Sequence, residues 1–154
     1  STFTGAYMGE SGLVDTDIAT VMRRKKALGL DDLKLFFKVN PESDAYLAER
    51  PLGKITKSMI FHCFPDALCV SGASAGTETD SSLIEQVKAL AGDTPVFCNT
   101  GCTAENVREK LSYSDGACVG TAFKTGGKFQ NTVDGDRVKD FMDRVKAYRA
   151  ELEG

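Results

Sequence analysis

The chain has 154 residues, 42% of them hydrophobic and 27% charged, with a formal net charge of −3 at pH 7. That mixture suits one globular domain with a sizeable core and gives no sign of intrinsic disorder. The acidic balance argues against a nucleic-acid or anionic-membrane surface, which needs a basic excess, and no apolar run approaches the ~20 residues required to cross a bilayer. Nor does the start read as a targeting peptide.

Short β-rich runs alternate with amphipathic stretches, the pattern of a parallel sheet with helical crossovers. The first unit runs from Thr2 to Met8 into a helix near 15–28, with Asp15 or Thr16 as N-cap, Ile18, Val21, Met22 and Leu28 on one face, and Gly29 as the stop. The basic run Arg23-Arg24-Lys25-Lys26 falls late in that helix, where it complements the negative end of the dipole. A second strand spans Leu33 to Val39, loops through Asn40-Pro41-Glu42-Ser43, and leads to a helix near 51–63.

The third strand, Ala67 to Ser71, is almost continuously apolar, as expected when both faces are covered. Asp80 caps the helix after it; Leu83, Ile84, Val87 and Leu90 share a face and Gly92 ends it. The fourth strand, Pro95 to Asn99, turns through Thr100-Gly101-Cys102 into a helix capped by Thr103. The fifth, Gly116 to Gly120, precedes a small hairpin over 123–129, and a last helix near 134–151 turns Val138, Phe141, Met142, Val145 and Tyr148 inward. No linker divides the chain, so residues 1–154 read as one domain or part of one.

Five units in this length fall short of the ~250 residues of a closed eightfold barrel, and by counting alone an open doubly wound sheet fits better. Because the chain begins at Ser1 without a methionine, an upstream segment is expected.

A set of blocks is more specific: Asp66 to Gly72, Ala75 to Asp80, Thr94 to Gly101, Thr103 to Val107, Ser114 to Thr121 and Val133 to Val138. In this order they resemble the BtpA/SgcQ family. The resemblance covers essentially the whole chain and is most specific over residues 66–146. It implies an α/β fold, the (β/α)₈ TIM barrel of the ribulose-phosphate-binding type, present here as roughly five C-terminal βα units, strands 4 through 8. It further implies either a barrel binding a phosphorylated small metabolite or a non-catalytic assembly factor, since some members are implicated in stabilising photosystem I and others occur beside sugar-related genes. Members often carry histidine in the loop that here reads Lys38-Val39-Asn40-Pro41-Glu42-Ser43, so no role built on that histidine transfers.

In a barrel, function collects at the C-terminal strand ends. Lys38 and Asn40 are the candidates for the reacting end, an amine there suiting a Schiff base or a phosphate contact. Asn99, Thr100, Gly101, Cys102, Gly120 and Thr121 are the candidate phosphate-binding residues, because backbone N–H groups and helix N-termini after the last two strands favour an anion. The alternative is that these glycines only make tight turns. Ser71 and Gly72 are expected to line the pocket. The loop from Gly72 to Thr77 lacks both the lysine of a P-loop and the spacing of a dinucleotide fingerprint.

Glu42 and Asp44 could serve acid–base chemistry or simply be solvated. His62, beside Cys63 at a helix end, has no partner for a triad. The five cysteines, Cys63, Cys69, Cys98, Cys102 and Cys118, fit reduced thiols of a cytoplasmic protein; their spacing forms no zinc site, and Cys102 before a helix is the one to watch for a lowered pKa. No metal or cofactor is implied. The expected partners are a phosphorylated small molecule and possible further copies of the chain, with no nucleic acid. Whether the protein is an enzyme stays open at this point.

Overall fold

The computed structural model describes residues 5–10 and 12–154. Its centre is a parallel sheet of four strands, β3 (Phe36–Lys38), β5 (Ala67–Val70), β6 (Val96–Cys98) and β7 (Gly116–Ala117), paired in the order β3-β5-β6-β7. Helices α2 (Leu52–Cys63), α3 (Ser81–Ala91) and α4 (Val107–Tyr113) make the crossovers, and α5 (Gly135–Glu153) follows β7. Strand order follows chain order without reversal. Right-handed crossovers then place α2, α3 and α4 on one face, the winding of a barrel and not of a doubly wound sheet.

Side-chain alternation sorts the two faces. Phe37, Leu68, Val70, Val96 and Cys98 pack into one buried cluster with Ile55 and Met59 of α2, Ile84 and Val87 of α3, Val107 of α4, and Phe141 and Val145 of α5. Residues of opposite parity, Phe36, Lys38, Cys69, Phe97 and Gly116, point the other way, to the barrel interior. There Lys38 pairs in register with Cys69, Cys69 with Phe97, and Phe97 with Gly116. The Phe36 and Phe97 rings lie 5.1 Å apart, and a Cβ on Gly116 would stand 2.6 Å from the Phe97 ring, so this interior layer requires glycine.

The first unit is built differently from its expected strand and helix. β1 (Gly5–Gly9) and β2 (Gly12–Thr16) form an antiparallel hairpin, and β1 also pairs antiparallel with β4 (Ala45–Tyr46) in a separate three-stranded sheet. Thr2, Phe3 and Thr4 of the expected strand lie outside the described residues. Helix α1 (Ile18–Ala27) is capped by Asp17 and not by Asp15 or Thr16: its carboxylate accepts from the N–H groups of Ala19 and Thr20 at 3.0 and 3.2 Å. α1 buries none of its residues, although Ile18 touches the core cluster. Asp15 and Thr16 pair with Ala6 and Gly5 instead, because Gly9 and Gly12, the latter at φ +86°, turn the chain back at once.

The other helices start where their side chains allow. Asp80 accepts from Ser82 N at 2.9 Å and Asp134 from Asp136 N at 3.0 Å. Thr103 begins a turn one step earlier than α4 itself: its carbonyl accepts from Val107 N and its Oγ1 from Glu105 N. The expected hairpin over 123–129 is two short 3-10 turns, Thr121–Phe123 and Thr125–Gly127, closed by a single bridge between Lys124 and Val133. Gly126 and Gly127, both at positive φ, make the second turn too tight for two strands to pair beyond it. No helix among the described residues is long and apolar enough to cross a membrane.

Candidate functional site

A cavity of about 720 Å³ opens at the C-terminal ends of β3, β6 and β7. Its inner end is Lys38, Glu42, Asn99 and Cys118; its sides are the loops 99–105 and 120–124. Of the phosphate-binding candidates, Asn99, Thr100, Gly101, Cys102, Gly120 and Thr121 all line it. Lys38 does as well, while Asn40, Ser71 and Gly72 are not among its lining residues.

These residues are not equivalent. Asn40 pairs with both backbone groups of Ser71, donating to its carbonyl at 2.7 Å and accepting from its N–H at 2.9 Å, which locks the β3 loop to the end of β5. Thr100 is buried; its hydroxyl accepts from Gly72 N at 2.6 Å and stands 3.1 Å from Thr79 Oγ1. Gly101 sits at φ +69°, and a Cβ there would lie 2.2 Å from Glu78 Cα. Gly72 is likewise hemmed in by the backbone of Thr77 and Glu78. These two glycines are demanded by close backbone approach. Gly120 faces open space, as does the mouth of the cavity around it.

At the inner end four polar side chains converge. Lys38 Nζ stands 2.8 Å from Glu42 Oε1, Asn99 Nδ2 donates to the same oxygen at 2.8 Å and to Ser71 Oγ at 2.9 Å, and Ser71 Oγ lies 3.5 Å from Glu42 Oε1. Glu42 was legible only as one of two loop carboxylates; Asp44 is not part of the cavity wall. The interior direction of Lys38 and Asn99 follows from strand alternation, but the return of the loop that brings Glu42 over them does not.

The outer end holds two cations that sequence reasoning missed, Lys124 and Arg137. Arg137 Nε donates to Ala122 O at 2.7 Å, tying α5 to the turn after β7. A cation in the first turn of a helix opposes the dipole, and that anomaly was the available signal. Arg137 shares this wall with Glu105, Asp136 and Asp140, of which Asp140 is paired with Arg144 at 3.3 Å. The opening is therefore of mixed charge.

The thiols occur in two pairs. The Cys118 thiol is brought down to about 7, chiefly because the Cys69 thiol hydrogen-bonds to it, against burial; Cys69 is pushed up correspondingly. Cys98 is likewise brought down to about 7 by Cys102, whose own thiol is pushed up by that hydrogen bond and by burial. Cys102, watched for a lowered value, thus moves the other way, because its hydrogen bond to Cys98 and its burial both favour the protonated thiol. His62 stacks edge-on against Phe61 at 4.9 Å on α2, away from the cavity. Among the described residues no group of three His, Cys, Asp or Glu side chains could hold a metal ion.

Comparison with known proteins agrees with this architecture. The chain is 45% identical over 147 residues to the sgc region protein SgcQ of Escherichia coli, covering 96% of this chain and 55% of that protein. It is 22% identical over 142 residues to the photosystem I biogenesis protein BtpA of Synechocystis, covering 92% and 49%. The chain thus spans about half the length of these relatives. Among solved structures, it resembles N-(5'-phosphoribosyl)anthranilate isomerase from Pyrococcus furiosus with a TM-score of 0.59 at 19% identity, covering 84% of this chain and 57% of that one. An archaeal fructose 1,6-bisphosphate aldolase gives 0.52 at 15% identity, covering 84% and 50%. These neighbours establish the barrel type of fold, and residues 1–147 match the BtpA family. The chain belongs to the BtpA family.

Proposed function

We propose that this barrel binds a phosphorylated small metabolite, with its phosphate seated between the loops that follow β6 and β7. The observation that carries the reading is the cavity itself. It opens between Gly101–Cys102 on one side and Gly120–Thr121 on the other, and Arg137 and Lys124 stand on its wall. Backbone N–H groups with a nearby guanidinium are the usual means of holding a phosphate ester. Two structural neighbours act, by their titles, on phosphorylated compounds, a phosphoribosyl anthranilate and a fructose bisphosphate, which supports the same reading. Lys38 then lies at the far end of the ligand, as the candidate for the reacting group, and Asn40 acts through Ser71 instead of touching it.

Thermal unfolding of the protein with inorganic phosphate and a panel of phosphate esters tests this, since a ligand that binds only the folded state raises the midpoint by mass action. A rise is expected with phosphate esters, lost in Gly120→Asp, which places a carboxylate in open space at the mouth, and reduced in Arg137→Met. Gly101→Asp is unsuitable, because the Glu78 backbone leaves no room for it. No rise with any ester in a folded protein favours the second reading, a non-catalytic assembly factor, suggested by the name of the Synechocystis relative.

A further inference from the structure

Resting on the phosphate-ester reading, we infer that Glu42 and Asn99 receive the other end of the ligand, and that this end is a hydroxylated carbon chain: the site takes a sugar phosphate. Every donor around Glu42 converges on one oxygen. Lys38 Nζ and Asn99 Nδ2 both stand 2.8 Å from Oε1, with Ser71 Oγ at 3.5 Å; among the described residues no hydrogen bond reaches Oε2. Asn99 uses its amide nitrogen on Glu42 and Ser71, which leaves Oδ1 as an acceptor without a donor among the described residues. Both side chains line the cavity. Two neighbouring acceptors are thus presented to whatever occupies it.

The chemistry of those acceptors selects the ligand. A carboxylate oxygen and an amide carbonyl call for donors, and an apolar group placed there would strip both of water without replacement. Hydroxyls and amines can supply donors. The Lys38 ammonium beside Glu42 repels a cationic amine, so neutral hydroxyls are favoured. A phosphate is repelled from the same spot by the carboxylate, which fixes the ligand's direction: hydroxyls inward at Glu42 and Asn99, phosphate outward at Gly120–Thr121. Asn40 is a positioning residue in this scheme, since its two bonds to the Ser71 backbone hold the hydroxyl on which Asn99 rests.

Calorimetric titration of the protein with propyl phosphate, inorganic phosphate and a set of pentose and hexose phosphates separates the two ends. Propyl phosphate offers the ester without hydroxyls. The sugar phosphates are expected to bind at least about tenfold more tightly, as one or two hydrogen bonds to a charged acceptor allow. In Glu42→Gln, which keeps an acceptor but loses its charge, that advantage is expected to shrink several-fold, while propyl phosphate binds no more weakly than before. Equal affinity of propyl phosphate and every sugar phosphate in the unaltered protein overturns the inference and leaves the phosphate seat standing; that comparison holds even if the variant fails to fold. Equal weakening of both ligand types by Glu42→Gln in a folded variant overturns it too. If none of the three ligand types binds, the phosphate seat itself is wrong, and this inference falls with it.

Discussion

At the scale of single residues, Lys110 is a charged side chain held in the interior. It is 2% exposed on α4, and its ammonium reaches Thr79 O and Ser81 Oγ at 2.9 Å each and Glu78 Oε1 at 2.7 Å. Burial works against its charge, but the hydrogen bond and the charge of Glu78 outweigh it, so its pKa lies above the usual lysine value. Lys110→Met leaves those oxygens without their donor and is expected to cost about 2–3 kcal/mol, read from urea unfolding. The glycines make a paired test. Gly101→Ala forces a methyl onto the Glu78 backbone and is expected to cost more than about 3 kcal/mol, whereas Gly120→Ala, with nothing within 4 Å, stays within about 1 kcal/mol of the parent. The thiols give a third. Cys118 is partly exposed on the cavity wall and the other four are buried. Because the thiolate is the nucleophile and Cys118 is brought down to about 7, iodoacetamide is expected to label it first, at a rate that climbs as pH rises through 7. Peptide mapping that finds Cys98 or Cys102 labelled ahead of it contradicts the assignment.

Between elements, one device is used twice at the N-terminal ends of the strands. Asp66, just before β5, donates its N–H to Leu35 O at 3.0 Å while its carboxylate accepts from Leu35 N at 2.7 Å. Asp115, just before β7, does the same to Val96, at 2.8 and 2.7 Å. Each closes a two-bond ring that fixes where the neighbouring strand begins, and each carboxylate has a lysine beside it, Lys34 at 3.4 Å and Lys88 at 2.6 Å. Asp66 is held below its ordinary pKa first by the Leu35 N–H; Asp115 is held below it by Lys88 and the Val96 N–H despite burial. A depressed carboxylate contributes stability that is complete above the unfolded value of 3.8 and lost as pH falls through the lower folded value. The double variant Asp66→Asn, Asp115→Asn is therefore expected to lose about 2 kcal/mol at pH 7 and to show a flatter stability profile below pH 4 than the parent. Both aspartates stand in the blocks that carried the family resemblance, yet their role was not legible, since it depends on a strand partner about 20 to 30 residues away. Local chemistry was readable: the Asp80 cap, the periodic face of α3, and the all-apolar β5 follow from spacing alone. The hairpin of β1 and β2 was not, because Gly9 and Gly12 look like helix or loop punctuation until a partner strand is known.

Over the whole molecule, stability is unevenly distributed. The cluster built on β5, β6, α2 and α3 contains the residues of lowest exposure, while α1 buries nothing and is ten residues long, too short to hold without packing. Hydrogen exchange is expected to show β5 and β6 opening with the global unfolding of the chain, and α1 with the 5–16 hairpin exchanging well before them; uniform protection across residues 5–98 contradicts this. The barrel type of fold was visible through the ordered blocks and not through length, which pointed to an open sheet. The cavity was half visible: strand ends could be named, but Arg137, Lys124 and Glu42 arrive from a helix start and from loops, whose directions no periodicity encodes.

The strand-start clamps and the cavity lie at opposite ends of the same four strands, about as far apart as the sheet permits. On the proposed function, heat tolerance and ligand choice are thus written in separate parts of the molecule. Substitutions around Asp66 and Asp115 can retune the working temperature while the cavity wall at Glu42 and Gly120 stays as it is, and ligands can be tried at the mouth without loosening the floor.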